Sequence, residues 1–351
     1  MGLMPLGLSL IPCFSSISTA MQTQKILDLR DKGTAVEFYQ DRYANGYIDE
    51  WPAERKQRIF EVIRSLALPD HGEALDFGCG NGVLTDVLRQ ALPSGWTVYG
   101  SDISKNAIAN ASERYPECTF LSAEEPNLAQ KRFDFLFTHH VLEHVYDLPQ
   151  IVREINHCLK DEASILHILP CGNEGSFEHS ICLLHKDGIN QRIENRFFFE
   201  EEGHIRRLDT AGLSSLFAEQ GFSLKQEYYS HQHHGSIDWI TRSWPSFIQN
   251  FTNPASAIHS EAKQSLSKWR YQLFALWALR IPAVVVEQSL NKRKKTPRNY
   301  VLLALGLPFY LLSKPMDTHL RRKAAEEWEQ RKTDRQGSEM YLFFKRSTHS
   351  E

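Results

Sequence analysis

Three glycines and two acids, spread over the ends of two neighbouring predicted strands, are the residues of this chain best suited to chemistry. Gly78, Gly80 and Gly82 join an apolar strand to a helix in the run ALDFGCGNGVLT, which starts at Ala74. Without a Cβ, the backbone can turn tightly and bring its N–H groups against a ligand, while the following helix offers its positive end. This arrangement predicts a cradle for a nucleoside cofactor.

The acid inside the strand end, Asp76, decides which cofactor fits. A loop that binds a dinucleotide has the pattern G-x-G-x-x-G, but Val83 occupies the sixth position here. Because Asp76 would also repel phosphate, a cationic cofactor fits better. Twenty residues after Gly82, the next apolar strand ends in Asp102, where a carboxylate can accept hydrogen bonds from both hydroxyls of a ribose.

These residues strongly resemble those of the class I S-adenosylmethionine-dependent methyltransferases, in particular the ubiquinone-pathway group. The resemblance runs from about Gly33 to Leu224 and includes a closing strand near Met340 to Lys345. It implies S-adenosylmethionine as the cofactor. It also implies an α/β fold, a Rossmann-like and mostly parallel seven-stranded sheet with helices on both faces, which agrees with the alternation of apolar strands and helices.

The resemblance also implies which residues bind the cofactor. Many members carry an aspartate that contacts the adenine where this chain has Ser122. We therefore expect Ala123 and Glu124 to lie next to the adenine instead. Cys79 lies within the glycine loop and contributes its backbone. The expected cofactor-binding residues are Asp76, Gly78, Cys79, Gly80, Gly82, Asp102, Ile103, Ala123, Glu124 and Thr138.

A cluster of polar residues follows the fourth predicted strand, FDFLFTHH, and forms the expected catalytic site. It consists of His140, Glu143 and His144, together with the distant His204. Small-RNA 2′-O-methyltransferases and ubiquinone-pathway O-methyltransferases bind a divalent ion through Glu-x-x-Glu-His and a distant histidine, and here His140 replaces the first glutamate. This set suits Zn²⁺, Mn²⁺ or Fe²⁺ better than Mg²⁺.

A metal-free role for this cluster is the other open interpretation, and the sequence favours it somewhat over metal binding. Leu-Glu-His at this position is widespread in methyltransferases that need no metal. Methyl transfer requires alignment of the acceptor, exclusion of water and removal of a proton from a hydroxyl acceptor. One histidine could serve as the base or as a positioning group, so the sequence leaves the metal unknown.

Composition restricts the class of protein. The chain has 351 residues, of which 42% are hydrophobic and 24% charged, and a net charge of −3, which predicts no general affinity for nucleic acid. Its six cysteines form no CxxC pair, so we expect reduced thiols in a cytoplasmic protein. We expect the methyltransferase domain to comprise residues 33–229 and 338–348.

Residues 1–32 precede this domain as a leader. The first twenty are apolar but contain no Lys or Arg, and Pro5 and Pro12 interrupt them, which is unlike a signal peptide or a membrane span. Two interpretations stay open, an over-extended start before Met21 or a disordered leader. Downstream, Tyr39 and Tyr43 either cover the cofactor or pack under the sheet.

Residues 230–337 form an insertion far longer than the usual connection between two strands. Its two apolar stretches are residues 271–286 and 300–312. A basic region, residues 291–323, follows the first stretch and includes the second, and it contains nine Lys or Arg and one acid. This pattern predicts helices that lie in an anionic membrane surface through residues 271–323. Arg280, Pro282 and Pro308 interrupt the stretches, so we expect no crossing of the bilayer. A lid or a dimer element is the alternative.

Three functions are consistent with these features. The first is a methyltransferase on the inner face of the membrane that acts on a lipid, a quinone-like molecule or a lipid-linked glycan. The second is a soluble small-molecule or glycan methyltransferase with a helical lid. A non-catalytic scaffold and a metal-dependent RNA 2′-O-methyltransferase are less favoured, because the cofactor residues are intact and the catalytic half is acidic. Oligomeric state is not indicated.

Overall fold

The computed structural model describes residues 32–44, 50–191, 194–201, 203–291 and 295–347. Nearly all of the leader, residues 1–31, therefore lies outside the described residues. The described chain forms two compact units. The first falls within Met1–Pro170, Glu201–Glu227 and Met340–Glu351, and the second within Cys171–Glu200 and Tyr228–Glu339.

A seven-stranded sheet organises the first unit. Its strands are β1 (His71–Phe77), β2 (Gly95–Asp102), β3 (Thr119–Ser122), β4 (Phe133–His139), β5 (Leu159–Pro170), β8 (Phe222–Ser230) and β9 (Glu339–Arg346). They lie in the order β3-β2-β1-β4-β5-β9-β8. The pairs β3–β2, β2–β1, β1–β4 and β4–β5 are parallel. The predicted fold class is confirmed.

The strand order changes direction between β1 and β4, which pair in register with Asp76 opposite Phe137. Chain connections leave this point toward opposite edges of the sheet, so a crevice opens at the carboxyl ends of the two strands, where ligands bind in such folds. Asp76 at the end of β1 and Thr138 at the end of β4 both flank this crevice. The strand order therefore brings the predicted cofactor loop after β1 and the predicted catalytic residues after β4 to the same edge of the sheet.

Helices flank the sheet. They are α1 (Lys32–Ala44), α2 (Ala53–Ser65), α3 (Val83–Ala91), α4 (Lys105–Arg114), α5 (Pro126–Gln130), α6 (Leu148–His157) and α8 (Thr210–Ala218). Three of these helices have an N-cap side chain that accepts a hydrogen bond from the backbone N–H three residues later. Ser104 caps α4, Asp147 caps α6 and Asp209 caps α8. Buried aromatic residues of β4, Phe133, Phe135 and Phe137, lie in the core.

The second unit is mainly helical. Its elements are α7 (Phe177–Cys182), the antiparallel pair β6 (Ile189–Asn190) and β7 (Arg196–Phe197), α9 (His234–Ile240), α10 (Pro245–Phe251), α11 (Ser260–Asn291) and α12 (Pro297–Arg331). An aromatic core built around Phe177, Phe197, Phe247 and Phe251 holds it together. Residues 171–200, which the sequence places within the methyltransferase domain, contribute to this core in the structure.

The two long helices differ from the sequence expectation. α11 continues through Arg280 and Pro282, and α12 continues through Pro308 and Pro315, so the expected interruptions are wrong at the level of the backbone. Of the described helices, α11 alone is long and apolar enough to cross a bilayer, by length and composition only.

Ion pairs explain how α11 can contain an arginine that is fully buried. Arg280 pairs with Asp238 and Asp317 at 2.6 Å each, and it donates to the Thr241 hydroxyl. Each nitrogen of the guanidinium donates to an acceptor on α9, at the end of α9 or on α12, so the positive charge is compensated within the second unit. Arg280 therefore joins three helices.

Candidate functional site

The glycine loop between β1 and α3 has the backbone conformation that its sequence predicts. Gly80 and Gly82 have φ angles of 51° and 76°, in the left-handed region that favours glycine. The N–H groups of Gly78 and Cys79 donate to the Ser101 carbonyl at the end of β2, 2.8 and 2.9 Å away. The loop is thereby fixed against the strand that carries Asp102.

Asp102 and Asp76 are the two buried acids beside this loop. Asp102 accepts from the N–H groups of Gly80 and Ser104 at 2.9 and 2.8 Å. Asp76 accepts from the Thr85 hydroxyl at 2.6 Å. Burial raises the pKa of both carboxyls, and for Asp76 the neighbouring Asp102 adds to the effect, giving a pKa of about 7. A cation bound beside these two carboxylates would therefore be stabilised by them.

The structure places the remaining predicted cofactor residues around the same crevice edge. Ile103 directly follows Asp102 and is half-buried, and the exposed Ala123 donates its N–H to the Asp102 carbonyl at 3.0 Å. Glu124 is exposed next to Ala123. Thr138 is buried, and its hydroxyl contacts His167 Nδ1 at 2.7 Å, so a structural role for Thr138 is already evident.

Helix α1 covers the glycine loop, a role that the sequence left open for its tyrosines. The Tyr43 hydroxyl is so close to Gly80 that a Cβ built there would lie 2.6 Å from it. From the same helix, Gln40 accepts from the Ser104 hydroxyl and the Asn106 N–H. Tyr43 therefore lies over the cofactor loop rather than under the sheet.

The expected catalytic residues come together at the carboxyl end of β4. Glu143 is buried, and its Oε1 lies 3.1 Å from His140 Nδ1 and 4.0 Å from Nε2 of both His144 and His204. The Ile205 N–H also donates to the Glu143 carbonyl, which links the distant segment to the β4 end. All four residues that the sequence predicted thus form one cluster.

Electrostatics in this cluster favour an ionised carboxylate. Burial by itself raises the pKa of Glu143, but the imidazoles of His140, His144 and His204 together lower it to about 2. Burial lowers the pKa of His144, and the neighbouring His204 lowers it further. Glu143 is therefore a carboxylate surrounded by imidazoles.

Two groups of residues beside the cluster are not predicted by the sequence. Glu201 lies 3.5 Å from His204 Nε2 and forms an ion pair with Arg42 of α1 at 2.7 Å. Its only signal in the sequence is its spacing of three residues from His204. On another side, Arg55 stacks over Trp51, and its Nη1 lies 3.5 Å from His139 Nε2.

The residues around the loop fit S-adenosylmethionine. Two buried carboxylates, Asp76 and Asp102, form no ion pair with a Lys or Arg of the described residues, so a cationic ligand would compensate them. A Cβ at Gly80 would lie 2.6 Å from the Tyr43 hydroxyl, so only glycine allows α1 to approach the loop this closely. When bound, this cofactor supplies a methyl group on a positively charged sulfur. Asp102 would hold its ribose, and Asp76 with the glycine loop its methionine end.

Comparison with known proteins agrees with this fit. The profile of a family described as a methyltransferase domain matches residues 51–227, half of the chain. The trans-aconitate 2-methyltransferase of Escherichia coli O157:H7 is 24% identical over 231 residues, 63% of this chain and 86% of that protein. The trans-aconitate 2-methyltransferase of Variovorax paradoxus is 29% identical over 101 residues, 28% of this chain and 39% of that protein.

A solved structure with a similar fold is that of magnesium protoporphyrin IX methyltransferase from Synechocystis PCC 6803 with bound SAH. It has 22% identity and a TM-score of 0.40, and the match covers 57% of this chain and 93% of that chain. None of these matches singles out the ubiquinone-pathway group. The extent of the family match nevertheless shows that this chain belongs to the methyltransferase domain family and is a methyltransferase that uses S-adenosylmethionine.

Proposed function

We propose that this methyltransferase acts at the cytoplasmic surface of a membrane, on a lipid, a quinone-like molecule or a lipid-linked glycan. The observation that carries the proposal is the surface of α12. Around residues 300–312 this helix turns large apolar side chains to the outside and small or polar ones to the inside. A soluble helix shows the opposite arrangement.

The outer surface of α12 is strongly apolar. Leu305, Leu311 and Leu312 are 67%, 81% and 80% exposed, and Phe309 is 56% exposed. Transfer of a fully exposed Leu or Phe side chain out of water stabilises by about 1.5–3 kcal/mol. Contiguous exposed patches of this kind mark interaction sites. A lipid layer would cover these side chains without a specific partner.

The inner surface of α12 has the composition of a helix that packs in lipid. Asn299, Gly306 and Ser313 are buried and recur every seven residues. Gly306 permits a close approach to α11, since a Cβ there would lie 2.8 Å from Val286. Small residues at the contact between two helices are typical of membrane-embedded pairs, where apolar residues gain nothing by leaving lipid.

The charges of this region only partly follow the sequence expectation. Glu287 pairs with Lys314 and Arg321, and Glu326 pairs with Arg322 and Lys323, so these four basic residues are compensated locally. Lys292, Arg293 and Lys294 lie outside the described residues. Lys295, just before α12, is exposed and remains available for anionic headgroups, whereas two guanidinium nitrogens of Arg298 are buried. The apolar surface is therefore the stronger support for the proposal.

The geometry of the cluster at the β4 end supports a hydroxyl acceptor. Methyl transfer to a hydroxyl requires that the oxygen lose its proton, and a buried carboxylate among three imidazoles suits this requirement. His140 is the least buried of these histidines, with 24% of its side chain exposed, which suits contact with the acceptor. Tyr43 and α1 would exclude water from the cofactor side.

A soluble carboxylate acceptor is the second candidate. It is favoured by the Arg55 guanidinium, which stacks on Trp51 beside His139 at the end of β4, and by the relatives named for trans-aconitate. Arg could bind a carboxylate in a bidentate manner. In this case, the helical hairpin would be a lid or a dimer element.

Flotation with lipid vesicles separates the two candidates. We expect the full-length protein to float with vesicles that contain anionic phosphatidylglycerol, and the double variant L311E/L312E to stay in the soluble fraction. The matched control is L183E, because Leu183 is a 54% exposed leucine that directly follows α7 and is not part of α12. Failure of the unmodified protein to float, or equal flotation of L311E/L312E, would overturn the membrane proposal and leave the soluble enzyme.

A further inference from the structure

Glu201 connects helix α1 to the segment that carries His204. Its two carboxylate oxygens accept from both terminal nitrogens of Arg42 on α1, at 2.7 and 3.3 Å. Its Oε1 also lies 3.5 Å from His204 Nε2. Burial by itself raises the pKa of Glu201, but His204 and Arg42 lower it to about 2. Glu201 is therefore an ionised carboxylate with partners on two different parts of the fold.

The contact with Glu201 gives the His204 ring a defined orientation. A tight turn brings the two side chains together, because the His204 N–H donates to the Glu201 carbonyl at 3.0 Å. His204 Nε2 then faces two carboxylates, 3.5 Å from Glu201 and 4.0 Å from Glu143. Ionised carboxylates only accept, so these contacts favour the tautomer that carries its proton on Nε2. Since His204 lies outside the helices and strands, its orientation depends on such contacts.

Helix α1 reaches both the cofactor loop and the cluster at the β4 end. On the cofactor side, Gln40 accepts from the Ser104 hydroxyl at 3.2 Å, and Tyr43 lies over the glycine loop. Toward the cluster, Tyr39 packs against Gly203, where a Cβ would lie 3.3 Å from the Tyr39 hydroxyl. The ion pair described above joins the same helix to the cluster. One helix thus contacts the groups that bind the cofactor and those that would act on the acceptor.

The pair between Arg42 and Glu201 is stronger than an ordinary surface ion pair. Its side chains are only 14% and 13% exposed, and two parallel hydrogen bonds join the guanidinium to the carboxylate. Solvent screens exposed pairs, whereas a bidentate pair in a largely buried position keeps its attraction and its geometry. Removal of one partner would leave the other charge poorly compensated. By contrast, the pair of Arg89 with Asp86 on α3 is 36% and 18% exposed.

We propose that Glu201 is a positioning residue for methyl transfer, which orients His204 and, through Arg42, holds α1 over the cofactor. Because one carboxylate makes both contacts, the enclosure of S-adenosylmethionine and the alignment of His204 depend on each other. Enclosure excludes water from the methyl group, and alignment places the imidazole for the acceptor. The proposal rests on the catalytic role proposed above for the cluster, but not on an acceptor in a membrane.

Calorimetry with S-adenosylmethionine tests the contact with α1 on the full-length protein. We expect R42M and E201Q each to raise the Kd of the cofactor about tenfold, because each removes one half of a charge-assisted pair. The matched control is R89M, which removes an arginine from a more exposed pair. The double variant R42E/E201R restores the pair with reversed charges, so its Kd should return to within about threefold of the unmodified value.

The ring ¹⁵N signals of His204, measured by NMR at fixed pH and assigned with H204Q, test the second contact. We expect them to shift in E201Q and in R42E/E201R, because both variants remove the carboxylate beside Nε2. Q40A should leave them unchanged, since Gln40 contacts only the cofactor side of the site in this account.

Three results would each overturn the proposal: an unchanged Kd in R42M, a Kd of R42E/E201R as high as that of R42M, or unchanged His204 signals in E201Q. Neither measurement needs a methyl acceptor. Their failure is therefore distinct from a failure of the protein to float with vesicles, and also from a cluster that takes no part in turnover.

Discussion

The Asp102 carboxylate accepts the N–H of Gly80 at 2.9 Å, which ties the end of β2 to the loop after β1. Its other oxygen accepts the Ser104 N–H at the start of α4, so one side chain fixes the start of a helix and the cofactor loop together. A carboxylate has about four sites for hydrogen bonds. The unused sites of Asp102 are therefore available to ribose hydroxyls.

Asp102→Asn should weaken the binding of S-adenosylmethionine. The substitution replaces an ionised acceptor by an amide, and a hydrogen bond to a charged group contributes about 1.5–3 kcal/mol, which corresponds to a roughly tenfold to hundredfold higher Kd. Calorimetry with the cofactor measures the change. The control is D86N, since Asp86 pairs with Arg89 on the surface of α3. Unchanged affinity in D102N would exclude a contact between Asp102 and the ribose.

The glycine loop and its acids could be predicted from the sequence because their chemistry is local. A turn that needs positive φ angles requires glycine, and the spacing from Gly82 to Asp102 matches one helix and one strand. The place of Tyr43 could not be predicted, because its contact with Gly80 joins residues 37 positions apart. The ion pair between Glu201 and Arg42 could not be predicted for the same reason, because the two residues are 159 positions apart.

The continuity of α11 could not be predicted from the sequence, for a different reason. A proline and an arginine inside an apolar stretch predict an interruption, because one lacks an N–H and the other carries a charge. In the structure, Asp238 and Asp317 compensate Arg280, and both acids lie about 40 positions away along the chain. Only the packing of α11 against α9 and α12 reveals that the helix can continue.

Gly82→Ala should destabilise the protein more than a matched substitution elsewhere. Gly82 begins α3 with a φ of 76°, and a Cβ there would lie 2.8 Å from Phe120 and 2.9 Å from Ala111. Left-handed backbone in a non-glycine residue costs about 1–2 kcal/mol, and overpacking adds about 1–3 kcal/mol. Denaturation in urea measures the loss of unfolding free energy.

Gly221→Ala provides the control for that experiment. Gly221 follows α8 with a φ of 79°, but a Cβ there would meet no atom within 4 Å. We expect only the backbone cost of about 1–2 kcal/mol. Equal losses in G82A and G221A would mean that the packing of Gly82 against Phe120 contributes nothing to stability.

Stability should fall at mildly acidic pH because of His167. This residue is fully buried in β5, and burial lowers its pKa from 6.5 to about 3. Between these two values the unfolded chain binds a proton at this position and the folded chain does not. The unfolding free energy should therefore decrease by up to about 1.4 kcal/mol per unit as pH falls from about 6.5 toward 3.

The contribution of His167 is isolated by comparing His167→Gln with the unmodified protein, because carboxylates also titrate in this range. Gln cannot titrate but can still pair with the Thr138 hydroxyl, which lies 2.7 Å from His167 Nδ1. We expect H167Q to be less stable at pH 7, yet to lose less stability between pH 6.5 and 5, as measured by urea denaturation at each pH. Parallel stability curves for the two proteins would show that the imidazole becomes protonated in the folded state, through an opening of the core around β5 that the buried position of His167 does not predict.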